Sequence, residues 1–111
     1  MQSLAAIADP TRRRIVELLA QRERTAGELV AAFDLSPPAI SQHLNVLREA
    51  GLVLTRAEGQ SRIQSLNPKG LDELDAWLER TRRFWSRNLD ALERELRADD
   101  AARKKAKKTS P

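Results

Sequence analysis

Between Ser36 and Arg48 the chain sets out Ser36, Ser41, Gln42, His43, Asn45 and Arg48 without a single carboxylate among them. Hydroxyls and amides donate and accept hydrogen bonds, and a guanidinium donates through a planar fork. The chemistry offered is therefore recognition of polar edges. At about 3.6 residues per turn, Pro38, Ser41, Gln42, Asn45 and Arg48 share one side of a helix, while Ile40, Leu44 and Leu47 share the other. A front with short side chains near its start and no acid suits a helix entering a major groove, because carboxylates would repel phosphate. An ordinary amphipathic surface helix is the competing reading. Gln42 is the first candidate for direct readout, since its amide pairs bidentately with adenine, and Ser41 suits a base or a phosphate. His43 projects to the flank near Leu47 and Ala50, so a partly packed histidine competes with a base contact.

Other chemistries find little support. The chain has no cysteine and one histidine, which excludes disulfides, thiolate metal sites and imidazole clusters within one chain. Asp72, Asp75 and Glu79 share a helix side and could hold a hard cation across a dimer, against the plainer reading of a solvated acidic face. No Ser/His/Asp set, catalytic carboxylate pair or glycine-rich phosphate loop is present, so no enzyme is expected. No metal and no cofactor is expected.

The elements that position the polar front are legible from breakers and caps. Ser36 caps a helix whose first turn takes Pro37, and Gly51 ends it about four turns later. Asp9-Pro10 starts another helix in the same way, running through Ile15, Leu18 and Leu19 to Gln21, with Leu4 and Ile7 in a short helix before it. Arg12, Arg13 and Arg14 point in three directions from its opening turns. Arg12 is a candidate DNA contact, against a reading of all three as solvated. Thr25-Ala26-Gly27-Glu28 forms a capping box for a third helix through Leu29, Val30 and Phe33. Asp34-Leu35 is then the whole connection to Ser36, which makes a helix-turn-helix.

Leu52 to Arg56 and Arg62 to Leu66 read as strands around a turn at Glu58-Gly59-Gln60. Such a hairpin is a wing, with Arg56 and Arg62 placed for phosphates or a minor groove and only Glu58 opposing them. Asn67-Pro68 starts a last helix, without a breaker before about Ala98. Its apolar side, Leu71, Leu74, Trp77, Leu78, Phe84, Trp85, Leu89, Leu92 and Leu96, is longer than a winged domain can cover. Trp85, Leu89, Leu92 and Leu96 step by 4, 3 and 4 residues, the spacing of a two-helix seam. A second copy is expected there, on Leu74, Trp77, Leu78, Phe84, Trp85, Leu89 and Leu92 together with Leu4; packing within one chain and an aromatic small-molecule pocket are the alternatives.

The net charge of +4 divides unevenly. Residues 101–111 carry five basic side chains and no acid, so the remainder, with 15 basic and 16 acidic residues, sums to −1. Residues 1–70 hold 9 basic and 7 acidic groups against 6 and 9 in 71–100, which directs a polyanion to the front half. Residues 1–98 read as one mainly α domain with a small β-hairpin, a winged helix-turn-helix with a long C-terminal dimerisation helix from about 68. Residues 99–111 read as a disordered basic tail. The apolar run Leu4 to Ala8, followed by Asp9 and three arginines, is too short for a signal peptide or membrane span. A soluble cytoplasmic protein is expected, with no membrane contact.

With these elements placed, the chain resembles the ArsR-type family of bacterial winged helix-turn-helix repressors over nearly all of residues 4–97. The resemblance lies in Leu4 to Arg12 with Ile15 through Leu19, in Leu35-Ser36 through Ser41-Gln42-His43-Leu44, and in Leu47-Arg48-Glu49-Ala50-Gly51-Leu52-Val53. The wing from Glu58-Gly59 to Arg62 and Leu66-Asn67-Pro68 complete it. It implies a homodimer that reads an inverted repeat in double-stranded DNA and represses transcription by blocking a promoter, with Ser36, Pro38, Ala39, Ser41, Gln42 and His43 facing bases. The metal-sensing members carry a thiolate pair after Glu-Leu in the third helix, whereas here Glu28-Leu29 is followed by Val30-Ala31-Ala32. The chain resembles a branch without a recognised metal ligand. Gln60, Gln64 and Ser65 stand where similar wings often carry arginine, aromatic or basic residues. No small-molecule effector is identified by the sequence. The alternative function is a winged-helix module that docks a protein partner through its aromatic C-terminal helix.

Overall fold

The computed structural model describes residues 2–109, with side chains over residues 2–102. The chain divides into two units, Met1–Asp75 and Ala76–Pro111. The elements are α1 (Gln2–Ile7), α2 (Pro10–Gln21), β1 (Arg24–Thr25), α3 (Ala26–Ala32), α4 (Pro37–Glu49), β2 (Val53–Glu58), β3 (Ser61–Leu66) and α5 (Pro68–Thr109).

Local chemistry sets most of these boundaries in the first unit. The Asp9 carboxylate accepts from the Arg12 N–H at 3.0 Å ahead of Pro10. Both halves of the Thr25–Glu28 capping box are present. α4 closes with Gly51 at φ 78°, where the Gly51 N–H reaches the Arg48 carbonyl at 2.9 Å and the Leu52 N–H reaches Leu47 at 3.0 Å. That pair of bonds satisfies carbonyls a helix end would leave unpaired. α3 ends one residue short of Phe33, which packs partly against the core, so the turn before α4 spans residues 33–36 rather than Asp34-Leu35 alone.

Ala6, Ile15, Leu18, Leu19, Leu29, Ile40, Leu44, Leu47, Leu52, Val53 and Leu74 form the core. The apolar sides expected for α2 and α4 are the sides that pack. Leu74 differs from the expectation of a partner contact: at 8 % exposure it is already covered by its own chain.

The hairpin is larger than expected. The order is β1-β3-β2, all antiparallel, with Arg24 opposite Gln64 and Thr25 opposite Ile63. Two residues carry no readable alternation, so the sequence pattern does not announce β1. β2 and β3 pair from Val53 and Leu66 to Glu58 and Ser61, leaving Gly59-Gln60 as the turn, with Gly59 at φ 62°.

α5 begins beside Asn67, whose amide donates to the Gly51 carbonyl at 2.9 Å and whose Oδ1 accepts from the Lys69 N–H at 3.2 Å. It runs for 42 residues, past the end expected near Ala98, and the segment expected to be disordered from residue 99 is helical through Thr109. Alanine, lysine and arginine are strong helix formers, and no glycine or proline occurs after Gly70 until Pro111. The side chains of Arg103, Lys104, Lys105, Lys107 and Lys108, and residues Ser110 and Pro111, lie outside the described ones.

Candidate nucleic-acid interface

Ser36 Oγ accepts from the Ala39 N–H at 3.3 Å, fixing the first turn of α4. Ser36, Pro37, Pro38, Ser41, Gln42 and Asn45 are exposed, whereas Ala39, His43 and Arg48 are half-buried. Ile40, Leu44 and Leu47 are buried beneath them. Folding thus presents one small polar front. No side-chain partner is recorded for Ser41 or Gln42 among the described residues, so their groups are open to an outside edge.

The other candidates have partners within the chain. Arg12 Nε donates to the Ala6 carbonyl at 2.6 Å, and its Nη1 lies 3.4 Å from His43 Nδ1. A guanidinium only donates, so a hydrogen bond here has Nδ1 as its acceptor, in the tautomer that carries its proton on Nε2. Arg12 therefore braces α1, α2 and α4, and the packed reading of His43 fits its half-buried position. Arg48 donates to Thr55 Oγ1 at 2.9 Å, to Gln64 Oε1 at 3.5 Å and to Asn45 Oδ1.

The wing arginines separate. Arg56 pairs with Glu23 and, at 3.4 Å, with Glu58. Its hydrogen bond to Glu23 is the main cause that pushes its pKa further above the ordinary arginine value. Glu23 was not anticipated as an opposing acid, since it lies 33 residues away in sequence. Arg62 is exposed and has no ion pair among the described residues. The net basic contribution of the wing is therefore Arg62.

On α5, Leu78, Phe84, Trp85, Leu89, Leu92 and Leu96 are 46–61 % exposed, and the Phe84 and Trp85 rings meet edge to face at 6.1 Å. Trp77 and Leu4 are half-buried. Glu79 is taken up by Arg82 at 2.8 Å and Arg83 at 3.6 Å, and no group of three potential ligands is gathered for a metal among the described residues. No helix among them is long and apolar enough to cross a membrane. Sequence reasoning missed Thr55 and Gln64, which lie on facing strands and signal nothing locally.

The sequence profile of the bacterial regulatory protein, arsR family, matches residues 9–55. The HTH-type transcriptional regulator Rv2034 of Mycobacterium tuberculosis is 48 % identical over 84 residues, covering 76 % of each chain. The transcriptional repressor SdpR of Bacillus subtilis is 41 % identical over 73 residues, covering 66 % of this chain and 81 % of that one. Among solved structures, the homodimeric winged helix-turn-helix DNA-binding domain of a possible ArsR-family regulator from Mycobacterium bovis superimposes with a TM-score of 0.61 at 27 % identity. It covers 74 % of this chain and 76 % of that one.

Proposed function

This chain belongs to the arsR family of bacterial regulatory proteins, DNA-binding transcriptional regulators and not enzymes, and from that premise we propose that it acts as a homodimeric repressor of an inverted-repeat operator. In this reading each protomer seats the front of α4 in a major groove. Gln42 and Ser41 read base edges, Ser36, Pro38 and Ala39 approach the duplex closely, and His43 offers the N–H on Nε2. Arg62 meets phosphate beside the groove, with Arg56 a weaker second contact because two carboxylates already face it.

The observation that carries this reading is the exposed, acid-free front of α4, whose Ser41 and Gln42 have no partner recorded among the described residues. The apolar stripe of α5 supports a second copy as its cover, and the relative from Mycobacterium bovis is a homodimer. Repression is supported by the repressor from Bacillus subtilis. With no cysteine in the sequence, sensing of a metal through thiolates is not part of the proposal.

Selection of duplexes from a random-sequence library by the full chain, followed by footprinting, tests it. Two protected half-sites related by a dyad, about one helical turn apart, are expected. Enrichment of no sequence, or of single unpaired half-sites, would overturn it.

A further inference from the structure

Four side chains on three elements form one run of hydrogen bonds from the front of α4 into the sheet. Asn45 Oδ1 accepts from Arg48 Nη2, and Arg48 Nη1 donates to Thr55 Oγ1 at 2.9 Å and to Gln64 Oε1 at 3.5 Å. Thr55 Oγ1 donates in turn to Gln64 Oε1 at 2.6 Å, and Thr55 and Gln64 stand opposite each other on β2 and β3. The inner end is dry, because Gln64 is 1 % exposed. Glutamine is rarely so buried unless its polar atoms are satisfied, and here its oxygen is the acceptor that anchors Arg48.

The outer end bears on recognition. Asn45 is exposed on the face that carries Gln42. A free asparagine amide offers one donor and one acceptor side by side, which matches the N7 and N6 edge of adenine. A guanidinium has no acceptor, so the Asn45 oxygen must turn toward Arg48, leaving the NH₂ group with only donors to present. Donors alone suit the paired acceptors O6 and N7 of guanine, or O4 of thymine.

Resting on the reading of α4 as the helix that enters the groove, we propose that Arg48 is a positioning residue that sets what Asn45 reads. Anchored on half-buried Thr55 and buried Gln64, it holds the Asn45 amide with its donors outward, so that the base under Asn45 is selected for acceptors. It also joins α4 to the wing, so that groove and flank are met by one rigid head.

The test compares the full chain with Arg48→Met, Arg48→Lys, Gln64→Leu and Asn45→Ala, each used to select duplexes from a random-sequence library. The expected result is an acceptor-bearing base at one position per half-site, broadening toward adenine in Arg48→Met and Arg48→Lys. Gln64→Leu, which cannot touch DNA, should broaden the same position, and Asn45→Ala should erase preference there. Uniform weakening of all sequences by Arg48→Met, rescue by Arg48→Lys, and no change with Gln64→Leu would make Arg48 a phosphate contact and overturn the proposal. A DNA-free readout separates this from failure of the regulator reading: in ¹⁵N NMR the Arg48 Nε–H should be ordered in the free chain and mobilised by Gln64→Leu. A mobile Arg48 in the wild-type chain sinks the proposal whatever DNA does, whereas an ordered Arg48 in a chain that enriches no duplex would sink the regulator reading instead.

Discussion

Gly70, in the first turn of α5, lies so close to the turn after α4 that a Cβ there would stand 1.8 Å from the carbonyl oxygen of Gly51. The neighbour is backbone, and that carbonyl also receives the Asn67 amide at 2.9 Å. It cannot yield without disturbing the end of α4.

Gly70→Ala should therefore destabilise the fold although alanine is the better helix former by about 0.5–1 kcal/mol. A net cost of about 1–3 kcal/mol or more is expected, as for overpacking. Urea unfolding should show a lower midpoint with an unchanged slope. An unchanged or raised midpoint would mean that α5 does not start against Gly51.

Acid should weaken the fold through two helix caps. The Asp9 carboxyl is held below its ordinary value of 3.8, chiefly by the Arg12 backbone N–H, with the Arg12 charge and the Thr11 backbone N–H helping. Glu28 is held below 4.5, chiefly by the Thr25 backbone N–H and then by the Arg22 side chain. Lowered carboxyl values contribute stability that is present above 3.8 and 4.5 and is lost as pH falls through the lower folded values. Asp9→Asn with Glu28→Gln keeps acceptors at both caps while removing the titration. The wild-type urea midpoint should fall on acidification below 3.8 more than that of the double variant; parallel curves would discount the caps.

These two examples show what the sequence makes legible. Asp9-Pro10, the Thr25–Glu28 box, and Ser36 and Gly51 around α4 act over one helical turn, so residue type and spacing suffice to place them. The same holds for Ser41 and Gln42 on the exposed front. What was illegible is non-local. Glu23 meets Arg56 across 33 residues, Arg48 reaches Gln64 across 16, and β1 exists only because β3 offers it an edge. Leu74 continues the periodic stripe of α5 and cannot be told from its neighbours by period, yet the fold covers it and leaves Trp85 and Leu89 open.

The unequal wing arginines give a prediction in salt. Each phosphate neutralised by a cation contributes about 0.9 to the slope of log affinity against log salt. Arg62→Ala should lower that slope by about 0.9 and weaken the selected duplex and unrelated duplexes alike. Arg56→Ala should lower it less, because Glu23 and Glu58 already face the guanidinium. Glu23→Gln removes one of the two carboxylates that face Arg56 and should raise the slope. Binding titrations at several salt concentrations decide the order, and an Arg56→Ala effect larger than that of Arg62→Ala would reverse the assignment.

The stripe on α5 argues for a second copy most directly at its far end. Trp85, Leu89 and Leu92 are 57, 58 and 50 % exposed and recur at seam spacing, so a lone chain leaves a contiguous apolar surface in water. Leu89→Arg with Leu92→Arg places charge on that seam without touching the core around Ile15 and Leu44, so the first unit should keep its unfolding midpoint. Sedimentation should show a dimer for the wild-type chain and a monomer for the variant. Losing the link between two α4 helices removes the effective concentration of the second, so affinity for a paired site should fall by about 10²–10⁴-fold while affinity for an isolated half-site changes little. A wild-type chain that stays monomeric at the concentrations where it binds DNA, or a variant that remains dimeric, would place the contact elsewhere. A protein captured by this face in the monomeric chain would return α5 to the role of a docking helix for a different partner.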